Sequence, residues 1–357
     1  MKGIGGQAMT ELRGEYRRSV GRKIIFIASL LVLTVLLAGF AITLGSAGLT
    51  IAEVYIAIAS RFLDFVPAPD PLATTVVWEL RLHRVIFSML AGFGLGIAGA
   101  VMQGVLKNPL ASPFTLGISS AATFGAALAM VLGLGMAQGE YLVILNAFVF
   151  SLLATAGIYS LSRYRGISAE SMVLAGIALM YLFSALTSFL QYIGSREQLA
   201  EVVFWMFGSL QRTSWLKTGI LALALAVVVP YLVYRAWDLN AISQGDQVAA
   251  SLGVRVERTR TEQMFIASLI TASIIAFTGT IGFIGLVAPH ITRLAIGGDH
   301  RFLLPGAGMV GSVLLLGADS LARTILAPVI LPVGIMTAFI GIPFFLYLFV
   351  RSREGFW

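Results

Sequence analysis

Ten runs of mainly apolar residues divide this chain, at about 24–44, 85–106, 113–134, 142–162, 170–190, 216–235, 262–279, 281–296, 305–323 and 333–350. Nothing else in the sequence constrains the fold so tightly. Most of the runs are about as long as a helix needs to be to cross the ~30 Å hydrocarbon core of a bilayer. Only 11% of the 357 residues are charged and 58% are hydrophobic, against roughly 25% charged in a soluble domain. So few charges cannot cover a soluble protein of this size, but lipid can surround one that is apolar outside. The expected fold is an all-α polytopic membrane protein with about ten transmembrane helices.

The domain plan is correspondingly simple. Residues 1–23 form a basic N-terminal segment, and 24–357 form a single transmembrane domain whose long polar connection lies at about 236–261. The run from Ile24 to Leu44 is too long for a signal-peptide core and is expected to remain as the first span. Ten spans bring both termini to one side. Seventeen of the 24 Lys and Arg residues then fall in segments on that side and seven on the other, which makes the termini cytoplasmic. The net charge of +7 is thus spread over helix ends rather than gathered on one face, and nucleic acid is not an expected partner.

Local signals mark where function concentrates. Between spans two and three the apolar text is interrupted by GVLKNPLASPFTLGISS, residues 104–120. Pro109 lacks an N–H and pushes Asn108 out of the helical region, so span two ends there. Ser112-Pro113 has the form of an N-cap followed by a proline at the first helical position, and is expected to open span three. Within 235–260, GDQVAASLG reads as a short helix stopped by Gly253. The connection is longer than a plain loop between spans requires, and a docking surface accounts for the excess. In span two, Gly94, Gly96 and Gly99 match a dinucleotide fingerprint, but no strand precedes them and no acid follows at ~20 residues. Gly92, Gly96 and Ala100 instead form a small-residue stripe for close helix packing.

Several chemistries are excluded. There is no cysteine, and the three histidines, His83, His290 and His300, lack metal-ligand spacing. None of the four lysines follows a glycine, so no phosphate loop is present and ATP is not bound in that manner. Asp319 is the clear acid inside a span, and Arg323 four residues on is its expected intrahelical partner. An ion-coupled carrier usually displays more intramembrane ionisable groups than this. It stays as the alternative to a transport subunit energised by another chain.

The stretches RLHRVIFSMLAGFGLGIAGAVMQGVLKNPLASPFTLGISSAA, DQVAASLGV and TGTIGFIGLVAPHITRLAIGGDHRFLLPGAGMVGSVLLLGADSLAR, with ILPVG after them, resemble the FecCD-type permeases of ATP-binding-cassette importers. The resemblance runs from about residue 78 to the end. It implies a type II importer permease in a prokaryotic cytoplasmic or inner membrane, moving a ferric siderophore, haem or cobalamin. It further implies a homodimer, two ATPase subunits on the cytoplasmic face that use ATP and Mg, and an extracytoplasmic substrate-binding protein. This chain itself would hold no cofactor and catalyse nothing. By the same resemblance Arg81, Arg84 and Arg323 receive carboxylates of the binding protein. Asn108 and Leu110, with Ala169 and Glu170, form the cytoplasmic gate. Asp246, Gln247, Ala250, Leu252 and Gly253 belong to the helix that docks on the ATPase. His83 and Glu170 depart from the family pattern. Spans 2–5 and 7–10 start on opposite sides, which suits an inverted repeat.

Overall fold

The computed structural model describes residues 4–45, 48–135 and 137–351, and its regular structure there is helical. Ten helices fall on the ten apolar runs: α1 (Ile4–Thr43), α4 (His83–Leu106), α5 (Ile118–Leu132), α6 (Glu140–Arg165), α7 (Ala169–Ile193), α9 (Trp215–Tyr234), α12 (Val256–Thr278), α13 (Ile284–Ile296), α14 (His300–Thr324) and α15 (Val333–Arg351). Five short helices occupy connections: α2 (Ile51–Ala59), α3 (Pro71–Thr75), α8 (Arg196–Met206), α10 (Ala236–Ser243) and α11 (Asp246–Ser251). A π-helical stretch, Val76–Leu82, carries α3 into α4 without a break. Of the N-terminal segment, residues 1–3 lie outside the described residues, and the rest continues α1 as helix.

Length and packing repeat between two sets of four helices. The sets α4–α7 and α12–α15 each place a short helix second: α5 has 15 residues and α13 has 13. At ~1.5 Å per residue these rise only about 20 Å, less than the ~30 Å core. Irregular backbone at 107–117 and 279–283 takes up the difference, and Ala111, Ser112, Leu116 and Ile281 within it are buried. Non-helical chain is tolerated at that depth only where protein covers it. The first helix of each set packs on the third of the other, α4 on α14 and α12 on α6. Within each set the second packs on the third, and α4 meets α12. α4 and α12 run in opposite directions, as the expected inverted repeat requires.

The glycines of span two make the central contact possible. A Cβ on Gly92 would collide with the Gly311 carbonyl, on Gly96 with that of Ala307, and on Gly99 with that of Gly285. These glycines are packing surfaces, and Gly99 extends the expected stripe onto α13. In exchange α4 is the most enclosed of the long spans, whereas α1 and α7 lie mostly uncovered in the monomer.

Two boundaries differ from the sequence expectation. Ser112-Pro113 opens a tight turn rather than α5: Ser112 Oγ accepts the Thr115 N–H at 3.2 Å, and the helix begins only at Ile118. Gly117, at φ +77°, redirects the chain there and sits hard against Gly176 and Met180 of α7. α12 starts at Val256, six residues early, because its first turns face polar neighbours and tolerate charges that look like loop. Gly96→Val should cost about 3 kcal/mol, read as a lower thermal midpoint of the detergent-purified protein. Gly219→Val, where no atom approaches within 4 Å, should leave the midpoint alone. Equal midpoints for the two variants would contradict the close approach.

Candidate functional site

The residues singled out by sequence sit at the two ends of the bundle. At the end where α4, α6 and α9 finish and α7, α12 and α14 begin, α4 closes on Lys107. That residue adopts a left-handed conformation at φ +47°. The Asn108 N–H reaches the Gln103 carbonyl at 3.2 Å and the Lys107 N–H reaches that of Gly104 at 3.4 Å, so two orphan carbonyls of the helix end are satisfied. Asn108 Oδ1 then accepts the Leu110 N–H at 2.9 Å across Pro109. The turn is stiff, and it holds the Leu110 side chain outward, about half exposed.

Ala169 and Glu170 open α7 at the same end. Ser168 and Ser171 exchange backbone-to-side-chain hydrogen bonds at 3.0 and 3.1 Å, capping that helix. Ala169 is buried and Glu170 is exposed, where the charges of Lys107 and Arg260 act on its carboxylate. Both turns expected to form a gate are therefore brought to one end and one electrostatic neighbourhood.

The 236–255 connection contains two helices where sequence suggested one. Asn240 on α10 donates to Asp299 Oδ1 at 2.9 Å and accepts the His300 N–H at 2.8 Å, pinning α10 to the start of α14. Asp299 is also held by Arg301 at 2.6 Å. Burial acts to raise its pKa, but these hydrogen bonds prevail and bring it down to about 2. α11 ends as expected: Gly253 lies at φ +84°, its N–H bonds to Ala250 O, and the Val254 N–H bonds to Ala249 O. Ala249 is buried, while Gln247, Val248, Ala250, Leu252 and Gly253 face outward, with Leu252 at 69% exposure. Val248 and Leu252 thus leave an exposed apolar tip at a polar end of the molecule. Asp246 faces the other way, onto Lys107 at 2.8 Å and onto Arg260.

At the opposite end the three arginines expected to receive a partner's carboxylates are engaged within the chain itself. Arg81, Arg84 and Arg323 are buried, at 5–7% exposure, and do not present free cations to an external protein. Arg81 Nη1 donates to the carbonyls of Ile42 and Thr43, both at 3.1 Å. Arg323 donates to those of Leu44 and Ala41, also at 3.1 Å. Together they cap the last carbonyls of α1, a helix with no basic residue in its own last turn. Asp319, fully buried, holds the cluster together: Arg84 Nη2 lies 2.7 Å from Oδ1 and Arg323 Nε 3.1 Å from Oδ2. The intrahelical Asp319–Arg323 pair was legible in the sequence. Arg84, 235 residues away, was not.

A bundle with most of its long helices apolar enough to cross a bilayer, and with polar connections gathered at its ends, is a multi-pass membrane protein. The chain belongs to the FecCD transport family, whose model matches residues 30–351. It is 42% identical over 349 residues to an ABC transporter permease protein of Methanocaldococcus jannaschii, covering 95% of this chain and 98% of that one. It is 39% identical over 284 residues to the hemin transport system permease of Yersinia pestis, covering 78% and 84% respectively. Among solved structures, a metal-chelate-type ABC transporter in an inward-facing conformation matches with a TM-score of 0.79 at 30% identity. That match covers 91% of this chain and 98% of the other.

Removing the carboxylate from the arginine cluster leaves buried cations without a counter-charge. Asp319→Ala should therefore cost about 3–5 kcal/mol and expose the segment after α1 to protease. Arg81→Met loses hydrogen bonds to carbonyls alone and should cost about 1–3 kcal/mol. Thermal midpoints of the two variants in the opposite order would refute the role given to Asp319.

Proposed function

We propose that this chain is the permease subunit of an ATP-binding-cassette importer for a metal chelate, a ferric siderophore before haem or cobalamin. It works as a homodimer with the pathway between subunits. Two ATPase subunits, which use ATP and Mg, sit at the cytoplasmic end that carries α11, and a substrate-binding protein delivers cargo at the other. The observation that carries this reading is the FecCD family match across residues 30–351. The outward apolar tip of α11 supports it, since a permease energised by another chain must receive that energy through a contact. Asn108 and Leu110, with Ala169 and Glu170, are the gate in this reading. Binding-protein docking draws on Arg81, Arg84 and Arg323 indirectly, because they hold the end of α1 and the segment that follows it.

The exposed side of α7 suits a pathway wall. Leu174, Ile177, Tyr181, Leu182 and Phe189 all stand uncovered there. A wall of this kind offers a bulky chelate few specific contacts and leaves selection to the binding protein. The alternative, an ion-coupled carrier, needs an intramembrane acid free to bind its ion. Asp319 lies between two guanidiniums and is not free.

Reconstitution separates the two readings. Proteoliposomes with the ATPase and binding protein should accumulate ferric siderophore only when ATP is supplied. Uptake by this chain alone on an ion gradient would support the carrier instead. Leu252→Glu places a charge on the docking tip and should abolish ATP-driven uptake while the purified permease keeps its thermal midpoint. Normal uptake would remove α11 from the ATPase contact. The chain has no cysteine, so Leu110→Cys introduces a unique thiol. Its disulfide should form between subunits in the closed state and change in yield with nucleotide. Absence of crosslinking in every nucleotide state would place the gate elsewhere.

A further inference from the structure

Arg260 is the bulkiest side chain among those described that is fully buried, at 1% exposure, and the transport reading has so far given it no task. It lies near the start of α12. Its guanidinium spends every nitrogen on a different neighbour. Nε donates to the Val105 carbonyl at 3.1 Å, in the last turn of α4. Nη1 donates to the Ile167 carbonyl at 3.4 Å, in the connection from α6 to α7. Nη2 meets both carboxylate oxygens of Asp246, the first residue of α11, at 3.1 and 3.2 Å. Lys107 Nζ shares that carboxylate at 2.8 Å.

The positions of these partners are what matter. Val105 is three residues before Asn108, and Ile167 is two before Ala169. One rigid fork therefore touches the backbone just ahead of both gate turns and grips the helix that bears the docking tip. Guanidinium is planar and its donors are fixed relative to one another, so its partners cannot drift independently while it stays bound. It cannot simply be abandoned either, because a buried cation stripped of its carboxylate is strongly unfavourable. When α11 shifts, the fork must follow it or lose the Asp246 carboxylate, and in following it pulls on Val105 and Ile167 together. The carboxylate stays ionised for the purpose. Burial acts to raise the Asp246 pKa, but hydrogen bonds from Lys107 and Arg260 outweigh it and hold the group below its ordinary value.

We propose that Arg260 is the positioning residue that passes a displacement of α11 to both gate turns at once, with Asp246 as its handle and Lys107 as the second grip. The transport meaning of this link rests on the reading above. The link itself is a property of the isolated chain, and it is tested in two arms.

The first arm is hydrogen exchange of the purified permease without partners. Arg260→Met should accelerate exchange at 107–111 and at 167–171 together, by on the order of tenfold, a size usual for coupling between sites. Asp246→Asn, at the half-exposed end of the pair, should accelerate both segments by a smaller factor. Arg258→Gln, on the exposed face of the same helix turn, should accelerate neither. Acceleration of only one segment, or of neither, overturns the proposal. If Arg260→Met does not fold, Asp246→Asn decides by the same criterion. The second arm is the ATP hydrolysed per cargo molecule delivered in the reconstituted complex. This ratio should rise on the order of tenfold for Arg260→Met and stay at the wild-type value for Arg258→Gln. Arg260→Lys keeps the charge but loses the fork, and should fall between the two. A wild-type ratio for Arg260→Met, with hydrogen exchange altered, would make the residue merely structural and overturn its role in coupling. A wild-type complex that shows no ATP-driven uptake would instead sink the importer reading, and the exchange arm would still decide whether the link exists.

Discussion

Lipid offers no hydrogen bonds, and the polar groups that this bundle buries depend on that fact. A helix satisfies its own backbone except at its ends and wherever it breaks. The structure concentrates its buried arginines at those places. The last carbonyls of α1 are received by Arg81 and Arg323, which are steadied through Asp319 by Arg84. The irregular stretch after α4 is closed by Asn108 and by the pairing of Ser112 with Thr115. The carbonyls of Val105 and Ile167 are met by Arg260. Between the ends the close contacts are glycine-mediated, and buried hydroxyls there, such as Ser268 and Thr271, bond a carbonyl of their own helix.

This division explains what the sequence disclosed and what it hid. Hydropathy located all ten long helices, since each apolar run must find a helix to satisfy its backbone. The Asp319–Arg323 pair, the stop at Gly253 and the packing role of Gly92 and Gly96 were legible because each depends on local spacing. The start of α5 was misplaced because Gly117, not Ser112-Pro113, decides where the chain turns, and it does so through contacts with α7 that no spacing records. The short helix α2 was missed although its capping box, Thr50 with Glu53, is written in the sequence. The partners of Arg81 and Arg323 were not legible because they are backbone carbonyls at the end of α1, and a carbonyl acceptor has no sequence signature. Arg260 looked like one more loop charge for the same reason.

The two ends also differ in how their charges are held. The cluster around Asp319 is closed to solvent and capped by carbonyls, an arrangement that resists movement and keeps α1 and the segment after it in place. The cluster around Asp246 is buried on the Arg260 side and open on the Lys107 side, with about 35–44% of the Lys107 and Asp246 side chains exposed. An exposed pair of that kind contributes little stability by itself, so it can part without unfolding the bundle. In the importer reading, the closed cluster lies where cargo is received and the more open one where ATP acts.

Lys107 shows that the second cluster is not an accident of helix ending. A left-handed position at the end of a helix ordinarily goes to glycine, because a side chain there costs about 1 kcal/mol or more. Glycine is abundant in this chain and closes α11 in just that way at Gly253. At the end of α4 the same geometry is given to lysine, at φ +47°. The local rule is broken at the residue immediately before Asn108, Pro109 and Leu110. What the side chain gains is the 2.8 Å contact with Asp246, which is worth little as stability. A strained residue that returns so little stability is best understood through what it connects. What it connects is the turn that displays Leu110 and the helix that displays Leu252.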